Sequence, residues 1–268
     1  MYYNWSVNLV NFALGGYLFS GLLYLVVSWY NRNSLIRLAY WLVALSFVLH
    51  TTALISRALA AGRLPFAGMN EFLLLFAWGV VLVYLFIQAR FNITLLGLVA
   101  LPLVVALLTY ASALDRGIHP LVPALQSFWL ELHVMVAVLA YGAFGVSFGA
   151  AVLYLIRLKT GDKAAYLPSA KILESVLYRS ISFGFPFMTL VLITGAVWAE
   201  QVWGRWWSWD PKETWALVTW IIYAIYLHAR FTRGWQGRIA AWMAITGFAA
   251  VLFTLFGVTT LMSGLHSY

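Results

Sequence analysis

Eight stretches of the chain, roughly residues 8–29, 38–60, 71–89, 93–113, 131–156, 181–199, 214–231 and 239–262, are almost continuously apolar. Each is about 18–26 residues long, or about 27–39 Å as helix, enough to cross the hydrocarbon core of a bilayer. The apolar residues surround each stretch instead of forming a single stripe, as lipid-embedded helices require. Open strands would leave backbone groups unpaired in lipid. The pattern predicts an all-α, polytopic membrane protein with eight transmembrane helices. The first stretch is long and lacks a basic leader, so it is expected to be a span and not a cleavable signal.

The polar positions between the stretches sort by charge. One side holds Arg32, Arg37, Arg90, Arg157, Lys159, Lys163, Lys171, Arg179, Arg230, Arg233 and Arg238, against only Asp162 and Glu174. The other holds Arg57, Arg63, Arg116, Arg205 and Lys212 with the remaining acids. The positive-inside rule places the first side in the cytoplasm or its equivalent, and both termini on the outer side. An even number of spans is consistent with that. The connection at about 157–180 reads as a solvated basic loop leading into a short helix. The chain shows no internal repeat and is read as a single membrane domain, 1–268.

Composition narrows the function. The chain is 64% apolar and 9% charged, with a net charge of +8 and a mean hydropathy of +0.89. This excludes a soluble enzyme and a disordered chain. It contains no cysteine, which excludes a disulfide scaffold, a thiolate nucleophile, a zinc–sulfur site and covalent haem attachment to this chain. The positive charge is accounted for by topology, so no nucleic-acid partner is expected.

Five histidines remain as candidate ligands. His133 begins the fifth span at its outer end, and His266 lies just past the outer end of the eighth. Two imidazoles at one depth are what a six-coordinate haem iron, or another transition metal, takes on its axial positions. His228 lies near the inner end of the seventh span. His50 lies midway along the second, where a lone membrane histidine ordinarily hydrogen-bonds a neighbouring helix. His119, beside Pro120 in an outer loop, reads as solvated.

The densest signal is an outer segment, 198–215. Trp198, Trp203, Trp206, Trp207, Trp209 and Trp215 fall there, six of the chain's 14 tryptophans. An interfacial aromatic belt spreads over many helix ends and needs no such cluster. Trp203, Trp207 and Trp209 offer flat apolar area with one N–H donor each, and Gly204 lets the backbone turn. Asp210 before Pro211 fits an N-cap with proline at N1, and Glu213 at N3 completes a capping-box pattern, a structural use for both acids. Arg205 and Lys212 stand at that helix N-terminus, which favours anions. A large flat apolar ligand with carboxylates satisfies all of these, and haem is one.

The run Trp203-Gly204-x-x-Trp207-x-Trp209-Asp210-Pro211-Lys212-Glu213-x-Trp215 resembles the WWD signature of the haem-handling proteins of cytochrome c maturation. Within that group the chain resembles the CcsA (ResC) family of System II, most strongly from about Phe128 to Tyr268. The matching stretches are LHVMVAVLAYGAF around His133, FGFPFMTLVLITGAVWAEQVWG before the signature, TWIIYAIYLHAR around His228, and SGLHSY at the end. The resemblance implies a haem-presentation subunit of a membrane cytochrome c synthase, which attaches haem b vinyl groups to the CxxCH thiols of apocytochrome c. Haem b would be non-covalent and in transit. His133 and His266 would ligate it on the outer face, and Trp203–Trp215 would cradle it. His228 would ligate it near the inner side, with a second ligand from a CcsB (ResB)-like subunit. A thiol-reducing pathway would serve the acceptor cysteines. The membrane would be an inner, plasma or thylakoid membrane, with the site on its periplasmic or lumenal face. His50 has no counterpart in the family pattern. The segment RLPFAGMNEF at 63–72 departs from the family's P-F-x-N-M-Y-E, with Gly68 and Asn70 in place of its Asn and Tyr.

Three other readings compete. A membrane b-type cytochrome would pair histidines at two depths, and His228 has no clear inner partner within the chain. A haem exporter of the CcmC type would have about six spans. A non-catalytic assembly subunit would carry no haem.

Overall fold

The computed structural model describes residues 1–30, 33–91, 96–161 and 167–262. His266 lies outside them, as do Arg32, Asp162 and Lys163. The described residues form helices α1 (Tyr2–Tyr30), α2 (Asn33–Ala61), α3 (Met69–Phe91), α4 (Gly97–Ala113), α5 (Phe128–Thr160), α6 (Ala170–Trp203), α7 (Pro211–Arg233) and α8 (Arg238–Leu252). A π-helical segment, Phe253–Gly257, carries α8 into a last turn, α9 (Val258–Leu261). There is no β-strand among the described residues.

Among the described residues, six helical runs are long and apolar enough to cross a membrane: α1, α2, α3, α5, α6 and the run Arg238–Leu261. The fold is therefore that of a polytopic membrane protein. α4 is apolar but has 17 residues. α7 has 23 residues, but Lys212, Glu213, His228, Arg230 and Arg233 make it more polar.

The chain divides into two compact units, residues 1–122 with 157–169, and residues 123–156 with 170–268. In the first, α1 and α2 are buried in a regular stripe. On α1 the stripe is Ser6, Val10, Ala13, Tyr17, Ser20, Tyr24 and Val27. On α2 it is Ala39, Val43, Ser46, His50, Ala53 and Arg57. The three-and-four spacing is that of a coiled-coil seam. Lipid tails are as apolar as leucine, so small side chains and hydrogen bonds hold such a seam together. Ser20 Oγ donates to the Ala39 carbonyl at 2.8 Å. The hydroxyls of Tyr24 and Tyr84 meet at 2.9 Å. His50 sits fully buried, edge-on to Tyr17 at 6.1 Å. Its ring nitrogens are buried without a well-formed hydrogen bond, and the polar group they face is the Leu74 backbone of α3.

An ionic clamp closes one end of this unit. Arg57 Nε donates to Glu71 Oε1 at 2.8 Å, with both side chains almost fully buried. The same guanidinium donates to the carbonyls of Arg116 and Gly117 at 3.0 Å. Arg63 and the Ala67 N–H both donate to Glu71 Oε2 at 2.8 Å. Asn70 Nδ2 donates to the Ala111 carbonyl at 2.6 Å. One carboxylate thus ties the 62–68 turn to the 114–119 loop. That loop presents His119, which is exposed as expected and paired with Asp115 at 2.7 Å. Hydrogen bonds from the Gly117 N–H and His119 hold the Asp115 carboxyl below its ordinary pKa.

The second unit has an aromatic core. Phe144 of α5 stacks on Tyr223 of α7, with ring centroids 3.8 Å apart. Phe148 stacks on Phe248 of α8 at 5.0 Å. Phe185 of α6 stacks on Trp220 at 5.4 Å, and the Trp220 indole donates to Thr189 Oγ1. At the basic end, Arg230 pairs with Glu174, lies over the Tyr178 ring and donates to the Trp235 carbonyl.

Candidate functional site: a tryptophan-rich connection beside His133

The connection between α6 and α7 is short and closely specified. α6 ends at Trp203 because Gly204 takes a left-handed conformation (φ +67°), and its N–H bonds the Glu200 carbonyl at 2.8 Å. α7 starts where the sequence predicts. The Asp210 carboxylate accepts from the Lys212 N–H at 2.9 Å, Pro211 is at N1, and Glu213 returns to the Asp210 N–H, so the capping box is complete. The Glu213 carboxylate also accepts from the Ser208 N–H at 2.9 Å and from the Ser208 hydroxyl. Both acids therefore shape the backbone. Glu213→Ala is expected to lower stability by about 1–2 kcal/mol, as loss of a cap does. It should also loosen residues 207–210, which hydrogen exchange of the Ser208 and Asp210 amides would detect.

The tryptophans do not form one continuous platform. Trp198 and Trp203 meet edge-to-face at 4.9 Å, and the Trp198 indole donates to the Ala124 carbonyl at 2.9 Å. Trp215 packs on Phe253, in the π-helical segment, at 4.3 Å. Trp207 and Trp209 meet at 5.7 Å with perpendicular planes. Trp206 and Trp209 are 60% and 68% exposed. Trp209 has a left-handed backbone (φ +59°), the only such non-glycine among the described residues. The Trp207 indole N–H is buried without a hydrogen-bond partner, an orphan donor that an acceptor on a bound ligand would satisfy. Burial lowers the pKa of Lys212, which precedes the apolar stretch of α7. A nearby anion would offset the cost of keeping its charge there.

His133 lies near the start of α5, half-buried against α6. Its Nδ1 is 3.0 Å from the Val191 carbonyl and 3.5 Å from Thr194 Oγ1. A carbonyl only accepts, so this contact assigns the proton to Nδ1 and the lone pair to Nε2. It is the arrangement by which a second shell orients a metal-binding histidine. Gly195 makes room for the ring: a Cβ there would stand 3.0 Å from it. Trp198 is one turn further along α6. The structure thus places His133 and the tryptophan connection at the same end of α6.

His228 is elsewhere, exposed on α7 towards the basic end. The described residues contain no group of three or more His, Asp or Glu side chains able to hold a metal. Val191, Thr194 and Gly195, which set His133, lie in the family-like stretch before the signature but were not singled out there, and Phe253, which backs Trp215, carries no motif in the sequence. The doubled Trp206-Trp207 was the available signal for Trp206.

The second unit of this helical membrane protein carries a capped tryptophan connection and a histidine whose ring is fixed on α6 through Nδ1. A family model described as "Cytochrome C assembly protein" matches residues 66–266. The chain is 36% identical to the "Cytochrome c biogenesis protein CcsA" of Pyropia yezoensis, over 97% of this chain and 96% of that one. It is 38% identical to the protein of that name in Synechococcus sp. (strain RCC307), over 88% and 86%. The chain belongs to the cytochrome c assembly family, and within it to the CcsA proteins. Its fold is shared with "Cytochrome c Heme Lyase CcmF" (TM-score 0.74, 18% identity), covering 99% of this chain but only 48% of that longer one.

Proposed function

We propose that this chain is the haem-presentation subunit of a membrane cytochrome c synthase, and that it delivers haem b to the CxxCH motif of apocytochrome c. The observation that carries the reading is His133, tied through Nδ1 to Val191 of α6, the helix that runs on into a connection whose buried Trp207 N–H lacks an acceptor. Nε2 of His133 would hold the haem iron together with His266, which lies outside the described residues. Trp203, Trp207, Trp209 and Trp215 would border the porphyrin, with Gly204 and Pro211 setting the turn. Arg205 and Lys212 would face its carboxylates, while Asp210 and Glu213 hold the backbone.

Haem supplies the vinyl groups that become thioethers; the chain's part is to bind, orient and expose them, an entropy-trap role. The incoming CxxCH histidine would replace one protein ligand. His228 would receive haem on the basic, inner side, with a second ligand from a CcsB-like subunit. Both termini would face the outer compartment, where a reducing pathway keeps the acceptor thiols available.

The test is a denaturing pyridine haemochrome assay on the chain co-purified with its CcsB-like partner, beside a cytochrome c reporter. Non-covalent b-type haem is expected; a haem-free complex that still matures cytochrome c would refute the reading. His228→Ala is expected to lower haem in the outer site several-fold while leaving the protein folded. Normal outer occupancy in that variant would sink the entry path.

A further inference from the structure

At the basic end of the second unit, the turn between α7 and α8 opens onto an apolar groove of about 410 Å3. Ile222 and Ile225 of α7 form one wall, and Ile239 and Trp242 of α8 the other, with Arg238 at its end. Ile225, Ile239 and Trp242 are each more than half exposed. The turn is fixed: Gly234 ends α7 in a left-handed cap, and Arg230 grips the Trp235 carbonyl. The groove is therefore a built surface and not a loop that will fill itself.

Arg238 has no ion pair among the described residues, and the nearby Glu174 is taken by Arg230. It is also the first residue of α8, whose N-cap, Gly237, has no side chain to satisfy the first-turn N–H groups. An anion there meets both a guanidinium and a helix N-terminus. Trp242 lies one turn deeper, the usual arrangement at a membrane interface. Beyond it the lining is Ile222, Met243 and Thr246, apolar apart from one hydroxyl.

We propose that this groove holds one anionic phospholipid, with its phosphate on Arg238 and an acyl chain along Ile222, Ile225 and Ile239. The ligand must be apolar over most of its length and anionic at a single end, and the membrane around these helices supplies such a molecule. The groove's lining contains no histidine, and His228 lies outside it, one turn beyond Ile225 on α7.

The test uses the complex with its partner subunit, delipidated in detergent and titrated with phosphatidylglycerol or phosphatidylcholine, with bound lipid counted by native mass spectrometry. The wild type is expected to retain one phosphatidylglycerol with several-fold preference. Arg238→Gln should abolish the preference and Trp242→Ala should weaken retention, both with unchanged haem content. Equal retention by wild type and R238Q would overturn the proposal. So would loss of haem from R238Q with lipid retained, which would mark the groove as a porphyrin site. If R238Q does not accumulate, salt decides it on the wild type: a preference that persists undiminished in high salt is not a phosphate–arginine contact.

Discussion

His133→Gly is expected to lower the b-type haem of the purified complex roughly tenfold or more, and added imidazole should restore it. The backbone and the tryptophan connection are expected to survive this change, because the ring meets α6 at Val191, Thr194 and Gly195, within one helix. Imidazole diffusing into the space can then take the same axial position. Gly195→Val makes the complementary case. Its side chain would occupy the space where the His133 ring now lies, 3.0 Å from where a Cβ would stand. Haem should fall in this variant too, although the ligand is still present, and imidazole should restore it poorly because the space is filled. Second-shell changes at metal sites cost about 10–100-fold in affinity, so the two losses should be similar in size. Full haem content in His133→Gly without imidazole would remove His133 from the site.

The second large effect is expected in the first unit. Glu71→Gln leaves Arg57 buried with its charge uncompensated and withdraws the anchor shared by Arg63 and the Ala67 N–H. Breaking a buried ion pair on one side costs about 3–5 kcal/mol. The expected result is a markedly lower unfolding temperature and early proteolysis in the 114–122 connection, whose carbonyls Arg57 holds. Replacing both partners by apolar residues, Arg57→Met with Glu71→Leu, should cost less than Glu71→Gln alone, because the more deeply buried charge, that of Arg57, goes with its partner and only the less buried Arg63 loses its ion pair. A Glu71→Gln protein as stable as the wild type would show that the clamp holds nothing.

Local signals in the sequence translated directly into structure. Asp210-Pro211-x-Glu213 is a contiguous capping pattern, and it caps α7 as its chemistry requires. The apolar stretches became helices because length and hydropathy are properties of one segment. What depended on distant partners was hidden. Val191 lies 58 residues from His133, and nothing in either segment announces the pairing. Arg57 and Glu71 could be assigned to one side by charge, but not to each other. The α1–α2 seam was invisible because lipid and a neighbouring helix select the same apolar residues, so hydropathy cannot tell which face meets which. For that reason His50 could be placed in depth but not in surroundings. The tryptophan cluster pointed to a single platform, yet its rings split between inward packing, as for Trp198 and Trp215, and outward display, as for Trp206 and Trp209. Composition alone cannot make that distinction.

Trp209 gives this display a further meaning. A left-handed backbone at a bulky residue costs of order 1–3 kcal/mol, and a glycine would adopt it freely. The capped start of α7 forces the conformation, and the ring it turns outward contributes little packing in return. A search for hardier variants would thus be drawn to glycine at 209, and would reward the loss of an exposed ring in the proposed site. Robustness and competence pull in opposite directions at this one residue, so a thermostabilised version of this protein should be checked there before it is trusted as a stand-in for the natural one.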